Sequence, residues 1–469
     1  MKELRISKFK LLIIILLFFI SLAASIFIYN SEVPREGLEY IFVLPLLAVI
    51  CVVPVIIKYN RSDSNIVLYV FYFFYFIRYI ILPIVMTISN GALHYQQMQC
   101  TPYEYRMSLI IMILEMIAIS IGILVGMSIY DKKNNYFKDC SSTSFVSKVV
   151  VFLLILLCII RYDRFINTMS FLSISDDIEN IGSYEAIILN VLTIFIFTRF
   201  LVYAHKKYIC TGNRIWIVLS GIVGFISVFL YFGINRSLIV QKVIAAIIIL
   251  IIYFPSIKKI IIIIMIPILV IVILSISSLR HVNTNMDGTV KDEYDIAYIS
   301  RNLETYINGP WVIASAMDVF NKYEHNADLN NLITDFVVNF FPFLLPGLDN
   351  IRNYYLTQDG TTDIYNNSTG NRGYMVPMVG QCIFYFGDTI GIFVDIIIYV
   401  FFGILMQYFS YKVRITKYAE LQFYYLWLMI LFSMCMSYCL ITYLWSWSKF
   451  GLILLFISKL NKIRYKKLY

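Results

Sequence analysis

The sequence is poor in charged residues and histidine, and its cysteines follow no metal-binding pattern. Only 14% of its 469 residues are charged, four are His, and the eight Cys include no CxxC pair. Soluble globular domains carry about 25% charged residues, so this composition excludes that class. The HExxH and paired-cysteine spacings of zinc sites are missing. We therefore expect neither a metal nor another cofactor.

Apolar and aromatic residues are abundant instead, at 60% and 17% of the chain. Runs such as KLLIIILLFFISLAASIFIY reach the roughly 20 residues that a helix needs to cross a bilayer. The first run is too long for a signal peptide and lacks a small-residue cleavage site, so it is predicted to remain as a span. The apolar windows predict twelve membrane helices, at 11–29, 40–57, 66–88, 108–130, 146–160, 186–203, 215–232, 237–254, 260–279, 390–409, 421–441 and 443–457.

The basic residues predict the orientation of these helices. With the N-terminus inside, 23 of the 38 Lys and Arg residues fall in cytoplasmic segments, 11 in outer segments and the rest within spans. Basic residues of short loops are retained in the cytoplasm, so both termini are predicted inside. The net charge of +9 lies in short blocks between apolar runs, a distribution that argues against a nucleic-acid partner.

The predicted fold class is therefore all-α, a polytopic membrane helical bundle of about 12 transmembrane helices with one large extracytoplasmic loop. Residues 1–279 carry helices 1–9, residues 280–389 form the loop, and residues 390–469 carry helices 10–12. Within the loop, GPWVIASAMDVFNKY predicts a helix that begins at Pro310. DFVVNFFPFLLPG is too short to span and is predicted to lie along the interface. MVPMVGQCIFYFG predicts a horizontal or re-entrant helix.

Arginine dominates the outer side, where nine of the eleven basic residues are Arg. Its planar fork suits bidentate binding of phosphate. Arg236 and Arg280 are predicted at the outer ends of one helical hairpin, about 8–10 Å apart. Such a pair forms a cationic clamp of a size suited to pyrophosphate, although a lone interfacial anchor is the alternative for Arg236. Asn235 and Lys242 share a helix face with a spacing of seven residues, so Lys242 is expected to snorkel toward the same site or to pair internally.

Two ionisable residues fall inside predicted spans. Glu115 is expected about two turns below the outer end of the fourth span, where it pairs with Arg78 or Lys242 or accepts a proton. Pairing is favoured over catalysis, and Arg78 is expected to brace the bundle. Cys100 and Cys382 both fall in predicted outer loops, and the sequence leaves open whether they form a disulfide.

The second half of the chain resembles the bacterial O-antigen and oligosaccharide repeat-unit polymerases, the Wzy-type family. GINRSLIVQKVIAAIIIL matches the family's Gly-x-Arg at the head of an apolar helix, and LRHVN closes the next helix in a similar place. YISRNLETYINGPWVIA is similar to the segment that opens the large loop. DFVVNFFPFLLPGLDN and GNRGYMVPMVGQCIFYFGDTIG are similar to its apolar Pro-Gly run and its Gly-rich return to the membrane.

The resemblance implies a membrane glycosyltransferase of the GT-C-like kind that works without metal in the bacterial cytoplasmic membrane, with its active site facing the periplasm or exterior. It would transfer a growing glycan from undecaprenyl pyrophosphate to a new lipid-linked repeat unit, extending an O-antigen, capsule or common-antigen polysaccharide. Implied partners are undecaprenyl-pyrophosphate-linked oligosaccharides, the bilayer, a chain-length regulator and a flippase.

The predicted site divides into catalytic and substrate-binding residues. The catalytic candidates are Arg236, Arg280, His281 and Glu115. The substrate-binding candidates are Asn235, Lys242, Arg301, Arg352, Asn371, Arg372 and Tyr374. Two alternatives remain open: an O-antigen ligase, which shares the architecture, and a lipid-linked oligosaccharide flippase or other transporter.

Overall fold

A computed structural model gives the structure of the chain, which is all-helical over the residues it describes. The predicted ninth membrane helix, all of the predicted twelfth except Tyr443, and most of the DFVVNFFPFLLPG run lie outside those residues. The described residues are 8–58, 66–93, 98–130, 145–160, 183–229, 236–255, 296–322, 332–333, 336–337, 364–365, 368–369, 376–440 and 442–443.

The helices follow the apolar runs of the sequence. α3 and α4 are joined by a π-helical stretch, Ile77–Ile81, and α14 is followed by a 3₁₀ turn, Cys435–Ser437. The helices are α1 Lys8–Tyr29, α2 Val43–Lys58, α3 Ile66–Phe76, α4 Leu82–Ile88, α5 Pro102–Tyr130, α6 Phe145–Ile160, α7 Ser183–Thr211, α8 Ile215–Phe229, α9 Arg236–Tyr253, α10 Ile296–Tyr306, α11 Pro310–Lys322, α12 Met378–Phe386, α13 Asp388–Ile415 and α14 Ala419–Ser433.

Four of the described helical stretches are long and apolar enough to cross a membrane: Lys10–Tyr29, Val70–Ile88, Pro102–Tyr130 and Asp388–Ile415. Shorter apolar helices accompany them in α2, α6, α8 and α9. α1 exposes a row of large apolar side chains, including Leu12 and Phe19, as a helix facing lipid does. The chain thus has the character of an integral membrane protein, while the number of twelve spans stays a prediction.

α5 begins earlier than the hydropathy pattern predicts, at Pro102 instead of residue 108. The Thr101 amide donates to Glu104 Oε2 at 2.7 Å, and the Glu104 amide donates to Thr101 Oγ1 at 3.4 Å. This reciprocal capping box, with proline at the first helical position, satisfies amides that a helix start otherwise leaves unpaired. The earlier start places Glu115 thirteen residues into a 29-residue helix, about 20 Å from its first residue. The prediction that Glu115 lies two turns below the outer end is therefore wrong.

α5 and α13 pack closely because glycine removes side chains from their interface. A Cβ atom on Gly403 of α13 would lie 2.6 Å from the Ile123 nitrogen, and one on Gly126 of α5 would lie 2.7 Å from Gln407 Cβ. Small residues allow helix backbones to approach in this way within membranes. The pair forms the centre of the bundle, and it buries the polar residues described below.

The ends of the helices gather into two faces. At one end, Lys10 Nζ donates to the Ile57 carbonyl at 3.1 Å, and Lys58 Nζ donates to the Leu124 carbonyl at 2.8 Å. Tyr130 stacks on Tyr411 at this end, with ring centroids 5.7 Å apart. We call this the Lys58 end. The opposite end carries the 1–2 connection, the segment after α4 and the start of α5.

Helices from the predicted outer loop are built into that opposite end. α11 begins at Pro310, as predicted, and ten of its thirteen residues are buried; it packs against α5 and α12. α12 is buried from Met378 to Tyr385, which fits a re-entrant helix rather than one lying on a surface. Gly387, with φ of +78°, then turns the chain into α13.

One predicted helix is shorter than expected. α14 ends at Ser433, whereas the apolar run predicts a helix as far as residue 441. The chain continues through the 3₁₀ turn to an extended Tyr438. Met434, Cys435, Met436, Tyr438 and Cys439 stay buried, so this segment packs against the bundle without continuing the helix.

Candidate functional site

Three charged side chains meet in the interior of the bundle, and we call them the charge cluster: Arg78, Glu115 and Asp395. Arg78 Nη2 lies 2.6 Å from Glu115 Oε2. All three residues are buried, with exposures of 0%, 2% and 0% in that order. Buried ions are costly unless they are paired, so Arg78 holds Glu115 in place as its counter-ion.

Asp395 adds a second carboxylate to this ion pair. It lies against Glu115 and within the field of Arg78, and Tyr399, one helical turn further along α13, also faces Glu115. Neither carboxylate oxygen of Asp395 has a hydrogen-bond partner among the described residues. The cluster therefore holds two carboxylates against one guanidinium.

The backbone that carries Arg78 is unusual. Arg78 lies in the five-residue π-helical stretch between α3 and α4. A π turn widens the helix by one residue and is frequent at functional sites. The neighbouring Tyr79 donates to the Met112 carbonyl of α5 at 3.2 Å. This contact ties the π stretch to the helix that carries Glu115.

Gln241 is the centre of a second set of buried polar contacts. Gln241 of α9 is fully buried; it donates to Tyr438 Oη at 2.9 Å and accepts from Trp427 Nε1 at 3.1 Å. Cys435, three residues before Tyr438, faces the charge cluster. The segment from Cys435 to Tyr438 thus contacts α9 through Tyr438 and faces the charge cluster through Cys435.

At the end opposite Lys58, Arg35 and Glu304 form what we call the outer clamp. Arg35 Nη1 and Nη2 donate to the two Glu304 oxygens at 2.9 and 2.8 Å, and Arg35 Nε donates to the Gly91 carbonyl at 2.7 Å. Burial disfavours the charge of Arg35, but the Glu304 carboxylate outweighs burial and raises the pKa of Arg35 above its ordinary value.

Glu304 also fixes the start of α11. Its Oε1 accepts the Trp311 amide at 2.7 Å, and the Trp311 indole donates to the Met98 carbonyl at 2.9 Å. A carboxylate at a helix N-terminus is favoured by the helix dipole. The outer clamp thus fastens α10 and α11 to the segments beside α1, α4 and α5.

The structure places four of the predicted site residues. Glu115 pairs with Arg78, one of the two partners that the sequence allows. Lys242 is buried on α9 beside Gln241, which fits the internally held lysine rather than one whose amine reaches the surface. Arg301 is half-buried on α10. Arg236 is the first residue of α9, one residue before the predicted start of that helix, and its side chain lies outside the described residues.

The other predicted site residues lie outside the described part of the chain. They are Asn235, Arg280, His281, Arg352, Asn371, Arg372 and Tyr374.

Sequence reasoning missed Asp395 and the Arg35–Glu304 pair. Asp395 interrupts the apolar run IGIFVDIIIYVFFGIL, and the rule that singles out Glu115, an ionisable residue inside a span, applies to it equally. The outer clamp joins residues 269 positions apart, and no local pattern signals such a partner. Cys100 and Cys382 are both free thiols, so the disulfide left open between them does not form.

Within the described residues, no three His, Cys, Asp or Glu side chains come together as a metal site would require. Compared with known proteins, the chain matches no protein-family model, no curated protein and no solved structure.

Proposed function

We propose that this protein is a membrane glycosyltransferase that polymerises undecaprenyl-pyrophosphate-linked oligosaccharide repeat units into a surface polysaccharide. The proposal rests on the resemblance of the second half of the chain to the Wzy-type polymerases. One structural observation supports it: α10, α11 and α12, from the predicted outer loop, are packed into the bundle at one end. A loop built into the bundle in this way supplies rigid walls for a site between two lipid-linked substrates.

The proposed chemistry uses fixed positive charge on the leaving group. Arg236 begins α9, and in the predicted topology Arg280 ends the next helix at the same face. Two guanidiniums there would bind the pyrophosphate of the donor and stabilise the charge that develops as the glycosidic bond breaks. The acceptor hydroxyl of the new repeat unit then attacks the sugar carbon, and its proton passes to a base, for which His281 is the candidate.

The polymer length made in cells tests this proposal. In a strain that lacks the gene, Arg236→Lys and Arg236→Ala proteins should give progressively shorter glycan ladders, because lysine keeps the charge but loses the bidentate fork. Loss of a transition-state contact costs about 10²- to 10³-fold in rate. Arg280→Ala should behave like Arg236→Ala. Ladders are normalised to protein abundance by immunoblot.

Arg214→Ala is the matched control, because Arg214 is an exposed arginine before α8. It should give wild-type ladders. Long ladders from an Arg236→Ala protein at normal abundance would contradict the arginine mechanism. If purified protein with lipid-linked repeat units required added magnesium or manganese after chelation, the metal-independent chemistry would be wrong.

The charge cluster favours a second candidate, a transporter of lipid-linked oligosaccharides. Ionisable residues in the interior of membrane helices often mark a substrate or proton path, and Glu115 lies near the middle of α5. Deletion phenotypes separate the candidates. Loss of a polymerase leaves single repeat units on the outer face, whereas loss of a transporter leaves them on the inner face. Loss of a ligase, the third alternative, leaves finished polymer on the lipid carrier.

A further inference from the structure

The charge cluster has an unbalanced charge if every member is ionised. Glu115 and Asp395 then carry two negative charges against the single positive charge of Arg78, and all three side chains are buried. A net buried charge is strongly disfavoured in a low-dielectric interior. Protonation of one carboxylate is the usual way in which such a site becomes neutral.

No described hydrogen-bond donor bonds Asp395, although Arg78 Nε and Nη2 are buried nearby and have no hydrogen-bond partner among the described residues either. Arg78 directs Nη2 toward Glu115, and its Nη1 lies 3.4 Å from Tyr79 Oη. Tyr399 also faces Glu115. The thiols of Cys382 and Cys435 also face the cluster, but thiols are weak donors.

Asp395 is therefore buried without a hydrogen bond from any described residue. Both of its oxygens lack a hydrogen-bond partner among the described residues, and its carboxyl group lies against that of Glu115. Two ionised carboxylates cannot hydrogen-bond each other, because both offer only acceptors. A proton on one of them supplies the missing donor and removes the excess charge at once.

We propose that Glu115 and Asp395 together bind one proton, carried on Asp395 and donated to Glu115, so that the charge cluster is a neutral proton-binding site in the interior of the bundle. The site lies on three elements, the π-helical stretch, α5 and α13. This proposal does not depend on which reaction the protein catalyses. It adds a ligand, the proton, at a place apart from the arginines of the proposed catalytic site.

Infrared spectroscopy of the purified full-length protein in lipid nanodiscs at neutral pH tests the proposal. The wild-type protein should show the carbonyl band of a protonated, buried carboxylic acid, and the band should shift in deuterated water. The Asp395→Asn variant should lose that band. The Asp318→Asn control removes an aspartate that is paired with Lys322 at 2.6 Å, so it should retain the band.

Thermal unfolding provides a second measurement on the same variants. Asparagine at position 395 is neutral and can donate to Glu115 as the protonated acid does, so its midpoint should stay within about 2 °C of wild type. The double variant Glu115→Gln/Asp395→Asn, which leaves Arg78 without any carboxylate as counter-ion, should lower the midpoint by more. A wild-type spectrum without the band, a band that survives in Asp395→Asn, or failure of Asp395→Asn to fold would each overturn the proposal.

Discussion

Two ion pairs near the end opposite Lys58 differ in the solvent exposure of their side chains. The Arg35 and Glu304 side chains of the outer clamp are 8% and 2% exposed, whereas those of Arg106 and Glu39 are 58% and 40% exposed. Removing one partner of a buried pair leaves the other charge uncompensated, while exposed partners return to water at little cost. The two pairs therefore form a matched comparison.

We predict that Arg35→Ala destabilises the protein by about 3–5 kcal/mol, because Glu304 is then buried without a counter-ion. Arg35→Lys should recover only part of this loss. One ammonium cannot serve both Glu304 oxygens and the Gly91 carbonyl as the guanidinium does. The measurement is the unfolding midpoint in detergent, followed by circular dichroism. Arg106→Ala is the control and should leave the midpoint unchanged; equal shifts in the two variants would contradict the assignment of the clamp.

A second residue-scale prediction concerns thiol reactivity. Burial, together with the neighbouring Glu104 carboxylate, raises the pKa of the Cys100 thiol to about 12. At pH 8 about one such thiol in 10⁴ is the reactive thiolate. In detergent-solubilised single-cysteine variants, maleimide should label exposed Cys210 well before Cys100. The labelling rate of Cys100 should still rise with pH above 9. Equal labelling rates of Cys100 and Cys210 at neutral pH would show that Cys100 is not buried as described.

Residue identity alone predicted part of the charge cluster. Glu115 and Arg78 stand out in the sequence because charge is rare within apolar runs, and their pairing was one of two options. The choice between Arg78 and Lys242 depends on which helices are neighbours. Hydropathy does not contain that information, and it cannot place Asp395 beside them either.

At the level of elements, the contact between α5 and α13 depends on glycine. A side chain on Gly403 meets the backbone of α5, since its Cβ would lie 2.6 Å from the Ile123 nitrogen. Gly221 of α8 is a helical glycine of the opposite kind, with nothing within 4 Å of the position of a Cβ atom. Alanine at these two positions therefore has opposite expected effects.

We predict that Gly403→Ala destabilises the protein by about 1–3 kcal/mol, because the helices must move apart to admit the methyl group. Since α13 carries Asp395 and α5 carries Glu115, the shift should also disturb the charge cluster. Gly221→Ala should be neutral or stabilising, by up to about 1 kcal/mol, through helix propensity. Thermal unfolding of both variants in the same detergent measures the difference. A Gly403→Ala protein as stable as Gly221→Ala would mean that the helices are not in close contact.

The elements were predicted unequally well from the sequence. Apolar windows predicted the ends of most described helices to within a few residues. They could do so because the bilayer sets the length and the hydropathy of a helix that crosses it. The start of α5 was missed although TPYE carries a capping box with proline, a signal that a hydropathy window averages away. The early end of α14 had no such signal, since the run from Ser433 to Leu440 remains apolar and contains neither proline nor glycine.

At the level of the whole molecule, contacts between segments that are distant in sequence show that the connections between helices lie on two opposite faces. The outer clamp and the Trp311–Met98 contact gather the 1–2 connection, the segment before α5 and α11 at one end. The N-terminus of α1, Lys58, Tyr130 and Tyr411 gather at the other. This division agrees with the alternation of loops that the basic residues predict.

We predict that the face carrying α11 is extracytoplasmic, so that a cysteine at position 322 is labelled in intact cells and one at position 206 is not. Lys322 follows Asp318 on α11 with a side chain 67% exposed, and Lys206 is exposed near the end of α7. Both sites are therefore accessible to a reagent that reaches their side of the membrane. On a cysteine-free background, Lys322→Cys should react with a membrane-impermeant maleimide before cells are opened, and Lys206→Cys only after permeabilisation. The 206 variant labelled in permeabilised cells is the control for reactivity. Labelling of position 206 but not 322 in intact cells would reverse the orientation, and would place α10, α11 and α12 on the wrong side for a reaction at the outer face.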